Sequence, residues 1–257
     1  MIKTLRFIGF FIAVICTAQT VDAQLGISHE IGVIAGPVAF QSDYGERYDW
    51  PSNKGNVGTG IGLVHYINFA YRANCNCYTQ DTYWNDHFKI RNQLAYHVTT
   101  LDHLSELADR PSLAGLQLRS MTGKAKVFEI GTHLEWFPMS IRDFQEGQPK
   151  FAPPYFGIGA HYVNFRPEAT STLGPLNNPV TTYPTFIDRI DTSQGSTFAL
   201  VGDIGFRYKI SELSDLLVSS AWHYYDSNYV DGLSPRNVNN RSFDFIWWFN
   251  VGYIYYL

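Results

Sequence analysis

Beyond Gln24 the chain alternates apolar and polar residues with a period of two, and no long stretch keeps a helical period. Leu25, Ile27, Ile31, Val33 and Ala35 share one face of a first strand, against Ser28, Glu30, Gly32 and Gly36. His29 is the one poor fit on that apolar face. A second strand sets Val57, Ile61, Leu63, Ile67, Phe69 and Tyr71 against Gly58, Gly60, Gly62, Asn68 and Arg72. A third sets Phe88, Ile90, Leu94, Tyr96 and Val98 against Lys89, Arg91, Gln93, His97 and Thr99. In a fourth, Phe128, Ile130, Leu134 and Trp136 oppose Glu129, Gly131, His133 and Glu135. Four more follow, near 155–162, 197–210, 216–224 and 242–257. The last is the clearest, with Phe243, Phe245, Trp247, Phe249, Val251, Tyr253, Tyr255 and Leu257 on one face.

Eight strands of this length, even in number, are long enough to cross a bilayer at a tilt. Which face points inward decides the class. A water-soluble barrel would have to fit the bulky residues of every strand into a narrow eight-stranded interior. With the faces reversed, glycines and polar residues line the interior and the apolar residues meet lipid. The pattern therefore predicts an all-β fold, an eight-stranded antiparallel transmembrane β-barrel of outer-membrane type. Closure also pairs every backbone group, which hydrocarbon demands. Aromatic girdles are expected at both interfaces: Tyr71, Trp136, Tyr208 and Tyr255 at one rim, and Tyr96, Tyr162, Phe198, Trp222 and Phe243 at or near the other.

The N-terminus carries an export signal. Lys3 and Arg6 precede an apolar run from Phe7 to Ala18, and Val21-Asp22-Ala23 suits signal peptidase. The division is a signal peptide at 1–23 and a barrel domain at 24–257. The apolar core is short for a retained anchor helix, and Ile15 fits a lipidation motif at Cys16 poorly. With both ends in the periplasm, the outer connections are 40–56, 102–123, 166–195 and 227–240. The inner ones are 73–86, 138–150 and 211–215. The first two of these are long for periplasmic turns, which makes them candidate sites for a partner in the periplasm.

Composition fits this picture. Only 16% of residues are charged and 16% are aromatic, which excludes disorder. A net charge of −4 argues against a nucleic-acid partner, since neutralising phosphates needs basic clusters. Outer-membrane lipid is the expected environment, and no cofactor is implied.

Three features could carry chemistry. Cys75-Asn76-Cys77 could form a local disulfide or a free pair, link to another protein, or bind a metal, although zinc sites usually space their cysteines more widely. The interior face carries Glu30, Arg91, Glu129, His133, Glu135, His161, Asp203, Arg207, His223 and Asp244, with Lys89 and His97. These residues read as a salt-bridged polar plug rather than an active site. Ser219 and His223 share a face but lie four residues apart on a strand, about 13 Å by the strand rise, too far to hydrogen-bond. No nucleophile-elbow or zinc-protease motif occurs, so no catalytic, cofactor-binding or metal residue is assigned and the chain reads as a non-enzyme.

Several stretches resemble a Bacteroidota family of small outer-membrane barrels that includes the PorG-like barrel component of the type IX secretion system. They are Glu30-Ile31-Gly32-Val33, Phe128-Glu129-Ile130, and a block running from Phe151-Ala152-Pro153 through Gly157-Ile158-Gly159-Ala160 and Asn164-Phe165-Arg166-Pro167 to Leu173-Gly174-Pro175-Leu176. The resemblance implies an outer-membrane barrel that helps a secretion machine contact a periplasmic lipoprotein ring. The other readings are a stand-alone barrel whose loops bind a ligand or tether the envelope, and a lipid-modifying barrel enzyme.

Overall fold

The computed structural model describes residues 27–45, 49–70, 82–145, 154–234 and 244–257. The proposed signal peptide, Cys75 and Cys77 lie outside them, as do Tyr71 and Phe243 of the expected girdles. Eight antiparallel strands close into one barrel, each paired with its sequence neighbours. They are β1 (Ser28–Gln41), β2 (Val57–Asn68), β3 (Phe88–Asp102), β4 (Met121–Trp136), β5 (Tyr155–Ser171), β6 (Gly195–Ser211), β7 (Ser214–Tyr225) and β8 (Phe245–Tyr256). Closure is made by β1 on β8, in register from Glu30 opposite Tyr256 to Gln41 opposite Phe245.

The alternation sorts the side chains as the strand pleat requires. Ile31, Val33, Ile61, Leu63, Phe128, Ile158, Leu200 and Tyr253 are exposed on the outside, while Glu30, Arg91, Glu129, His133 and Arg207 are buried within. A continuous exposed apolar surface around a closed sheet is what a lipid-facing barrel presents. On β4 the outward positions from Phe128 to Trp136 are apolar apart from Thr132, a span matching one tilted bilayer crossing. Above it the outward positions are Lys126, Lys124 and Thr122, and Lys126 pairs with Glu168 across to β5. The upper limit of the belt thus passes through Tyr96, Phe128, Tyr162, Phe198 and Trp222. The lower limit passes through Trp136, Tyr208 and Tyr255, all of them exposed.

Two expectations need correction. β5 does not end at Arg166 but runs on to Ser171, with Pro167 opposite Ala125. Here the strand stands clear of the belt. The interior also holds large side chains, not only glycine and small polar residues: Trp248, Tyr66, Tyr155, Tyr225, Arg91 and Arg207 are fully buried. Glycines make the room. A Cβ on Gly131 would lie 1.9 Å from the His161 ring, one on Gly159 2.7 Å from the His133 ring, and one on Gly157 2.2 Å from Asp203 Oδ1.

The end that carries Ser28 and Tyr256, called the lower end here, has one tight turn between β6 and β7 and two long connections. Each long connection contains a short helix: Tyr83–His87 (α2) and Ile141–Gln145 (α5). The upper end is capped by four connections. The first holds α1 (Trp50–Asn53), and the second holds α3 (Glu106–Asp109) and α4 (Leu113–Arg119). Ser105 and Ser112 cap the last two helices, accepting from the amides of Ala108 and Gly115.

Candidate functional site

The interior divides into two polar layers. The lower layer is an ion network. Glu30 on β1 meets Lys89 Nζ at 2.6 Å and Arg207 Nη1 at 2.5 Å. Arg207 also lies 3.7 Å from Asp215, 4.0 Å from Glu135, and over the Tyr66 ring at 4.1 Å. Arg91 is 2.9 Å from Glu135 and 3.0 Å from Asp203, and donates to Tyr155 Oη at 3.2 Å. Register explains the convergence. Arg91 stands opposite His133, Lys89 opposite Glu135, and Gly157 opposite Asp203, so residues from β1, β3, β4, β6 and β7 meet in one layer.

The upper layer centres on Glu129. Its Oε2 accepts from Nδ1 of His161 and Nδ1 of His223, each at 2.7 Å, and its Oε1 accepts from Tyr225 Oη at 2.6 Å. His97 Nε2 is 3.8 Å from Oε1, and the His97 ring lies edge-on to Trp248 at 4.6 Å. His133 joins the layers: its Nε2 is 2.6 Å from His161 Nε2 and its Nδ1 is 3.0 Å from Asp203.

Nine of the residues expected inside the barrel thus lie in these two layers: Glu30, Arg91, Glu129, His133, Glu135, His161, Asp203, Arg207 and His223. Asp244 is placed elsewhere, just before β8, in the upper cap. There its Oδ2 accepts from the amides of Val230 and Asp231 at 2.9 and 3.2 Å. Asp231 accepts in turn from the amides of Asp43 and Leu233, each at 2.7 Å. Burial pushes the Asp231 carboxyl up to about 7. Burial, then the neighbouring Asp231 and Asp43 charges, raise Asp244 well above the usual range. His103, packed between Tyr44 and Phe186, is driven down to about 4 by burial, although its ring nitrogen meets the Tyr44 carbonyl at 2.8 Å.

Sequence reasoning missed Asp43 and Asp231, which sit in irregular connections where no period marks a face. It also missed Trp248, Tyr66, Tyr225 and Asp215. The adjacent Trp247-Trp248 pair is the one available signal, because consecutive strand residues point to opposite faces. His29, the poor fit, does face outward, where it stacks on His65 with nitrogens 3.0 Å apart. Asn92 continues the track at 3.3 Å from His65, and the Thr132 hydroxyl donates to Asn92 at 2.8 Å. This outward polar stripe satisfies itself across four strands, as groups facing hydrocarbon must. Ser219 donates to Asn250 at 2.7 Å while His223 is held by Glu129, so the two form no nucleophile pair.

At the lower end the two long connections are joined. Arg142 binds Asp86 Oδ1 through Nε at 3.0 Å and Nη2 at 2.6 Å, and the His87 ring meets the Phe137 carbonyl at 2.6 Å. Phe137 packs on Tyr155 beneath the ion network, and Trp136 donates to the Tyr83 hydroxyl at 3.1 Å. Residues 73–81 and 146–150 of the expected partner segments lie outside the described residues.

Fold and surface define an eight-stranded transmembrane barrel of the outer-membrane type with a filled polar interior. No protein-family model and no curated protein sequence matches the chain. Among solved structures it is similar to Ail, the attachment invasion locus protein of Yersinia pestis, solved with the heparin analogue sucrose octasulfate. That likeness has 12% identity and a TM-score of 0.41, covering 89% of this chain and 99% of that one. It is also similar to the outer membrane protein OprG from Pseudomonas aeruginosa (15% identity, TM-score 0.45, 92% and 99% covered). A third is a major outer membrane protein from Thermus thermophilus (12%, 0.43, 89% and 99%).

Proposed function

We propose that the protein is an outer-membrane barrel that acts as a structural and interaction component of a protein-secretion assembly, type IX-like, rather than as a channel or an enzyme. The observation that carries this reading is the paired lower connections. Outer-membrane barrels usually turn tightly on the periplasmic side. Here two long segments each contain a helix and are locked together by Asp86 and Arg142. An ordered platform of that kind can dock a periplasmic lipoprotein or secretion subunit, and the likeness to PorG-like barrels supports the same assignment. The interior bears on the choice of class: the ion network and the buried Trp248 fill the space a pore would need.

The test is affinity purification of the full chain from native envelopes after mild crosslinking, with wild type beside Asp86→Ala/Arg142→Ala. Recovery of a secretion subunit with wild type and its loss with the variant is the expected result. Equal recovery with both proteins removes the platform from the interaction. Absence of any secretion component overturns the assignment and leaves a stand-alone barrel.

A further inference from the structure

We propose that His97, His223 and Glu129 form a binding site for a divalent transition metal, zinc being the best fit, within the upper layer of the barrel. The three residues come from β3, β7 and β4, and one ligand atom from each lies within 4.8 Å of the others. All three are buried: His97 is 1% exposed, and Glu129 and His223 are wholly enclosed.

Charge points to a cation. The barrel interior encloses five carboxylates: Glu30, Glu129, Glu135, Asp203 and Asp215. Four have a lysine or arginine partner. Glu129 has none among the described residues, and its ion-pair partners are three histidines. A buried carboxylate without a cation is costly. A divalent ion would supply the missing charge and leave the imidazoles neutral, the form in which they ligate.

Unmade bonds point to the same place. Both ring nitrogens of His97 and Nε2 of His223 lack a hydrogen-bond partner although they are buried. Such groups are rare in folded proteins, and each calls for a cause. Ligation would give His97 a polar partner.

Geometry and donor chemistry select the metal class. Zinc held at about 2.0–2.1 Å in a tetrahedron places its ligand atoms about 3.4 Å apart. The Glu129 Oε1 contact to His97 Nε2, 3.8 Å, is close to that value, and because His223 Nδ1 is spent on Glu129 Oε2 at 2.7 Å, its ligand atom is the unpartnered Nε2. Two imidazoles and a carboxylate suit zinc and its neighbours, whereas calcium and magnesium take oxygen cages. His161, 2.7 Å from Glu129 Oε2, and the Tyr225 hydroxyl, 2.6 Å from Oε1, hold the carboxylate from outside. Such outer partners fix the orientation of a ligand.

The experiment uses the full untagged chain in detergent, refolded with zinc chloride and passed through gel filtration, with bound metal measured by mass spectrometry. Cobalt(II) in a parallel sample reports geometry through its visible absorption. One ion per chain, with tetrahedral cobalt bands, is expected. His97→Phe, which keeps a ring against Trp248 and removes a residue with no hydrogen bond to lose, should retain the folded barrel on unheated gels and lose the ion. His223→Ala should lose it too. Cys75→Ser/Cys77→Ser should keep it. Metal at the level of the buffer blank in wild type, metal undiminished in His97→Phe, or metal lost with the cysteines overturns the proposal.

Discussion

Removing the Arg91 guanidinium should be among the most damaging single changes in the barrel. Arg91 is 2% exposed and bridges two carboxylates, Glu135 at 2.9 Å and Asp203 at 3.0 Å. At an effective dielectric constant of about 20, each contact is worth about 5.5 kcal/mol in gross attraction. Desolvation of the three groups takes back several kcal/mol per ion. After Arg91→Met, Glu135 retains only Arg207 at 4.0 Å, and Asp203 retains His133 at 3.0 Å. A buried pair broken on one side costs about 3–5 kcal/mol. With an m-value of about 2 kcal/mol per molar, a loss of about 4 kcal/mol lowers the urea midpoint by about 2 M. The assay is reversible urea unfolding in lipid vesicles, followed by tryptophan fluorescence and by mobility on unheated gels. The triple variant Arg91→Met/Glu135→Gln/Asp203→Asn removes the stranded charges and should recover most of the loss. A single variant within about 1 kcal/mol of wild type, or a triple variant no better than the single, would refute the reasoning.

Four further outcomes follow. Gly131→Ala should destabilise the barrel by more than about 1 kcal/mol, because its Cβ meets the His161 ring at 1.9 Å and the Ala160 carbonyl at 2.4 Å. Gly202→Ala, with nothing within 4 Å, should stay within about 0.5 kcal/mol in the same urea titration. The upper cap should weaken as pH rises. The folded-state pKa of Asp231 is raised to about 7, so its protonated form stabilises the cap at acid pH and that contribution is lost between about 4 and 7. Proteinase K should cut the cap faster at pH 8 than at pH 5 in wild type, and with a flatter dependence in Asp231→Asn. Asp86→Ala should remove the link between α2 and α5 and raise proteolysis in the two lower connections, without changing the unfolding free energy by more than about 1 kcal/mol, since that pair is partly exposed.

How much of this was legible in the sequence depends on how strictly each segment keeps a period. Strands that face lipid on one side and a filled interior on the other cannot slip by one residue without exchanging the two environments. The eight runs, their facing and the closed antiparallel barrel were therefore readable from β1 to β8. The end of β5 was not, because beyond Arg166 the strand has left the lipid belt and its outward face is no longer apolar; Pro167 then reads as a loop residue although it lies in a strand, buried on its inner face. The polar residues inside were readable one by one, but their grouping was not. Glu129 and Glu135 lie on the same face of β4 and belong to different layers, because the shear of the barrel decides which neighbours each one meets. The Asp43–Asp231–Asp244 cluster joins the β1–β2 and β7–β8 connections and leaves no periodic trace.

The division of charge constrains what such a barrel can do. In the lower layer four carboxylates face Lys89, Arg91 and Arg207, and Tyr256 and His133 make further contacts to Asp215 and Asp203. That layer holds the walls together with fully buried, paired side chains. The upper layer differs in kind: its one carboxylate is served by imidazoles alone, whose charge depends on protons or a metal. The scarcity of charge noted in the sequence is therefore a concentration of charge, with the interior holding in two layers what the lipid belt excludes. Apart from this interior, the described residues offer the two ends, where α2 and α5 are locked together below and the β1–β2 and β7–β8 connections meet on buried aspartates above. Under the proposed function the lower end is periplasmic, and its two long connections, in place of tight turns, are where the partner would dock.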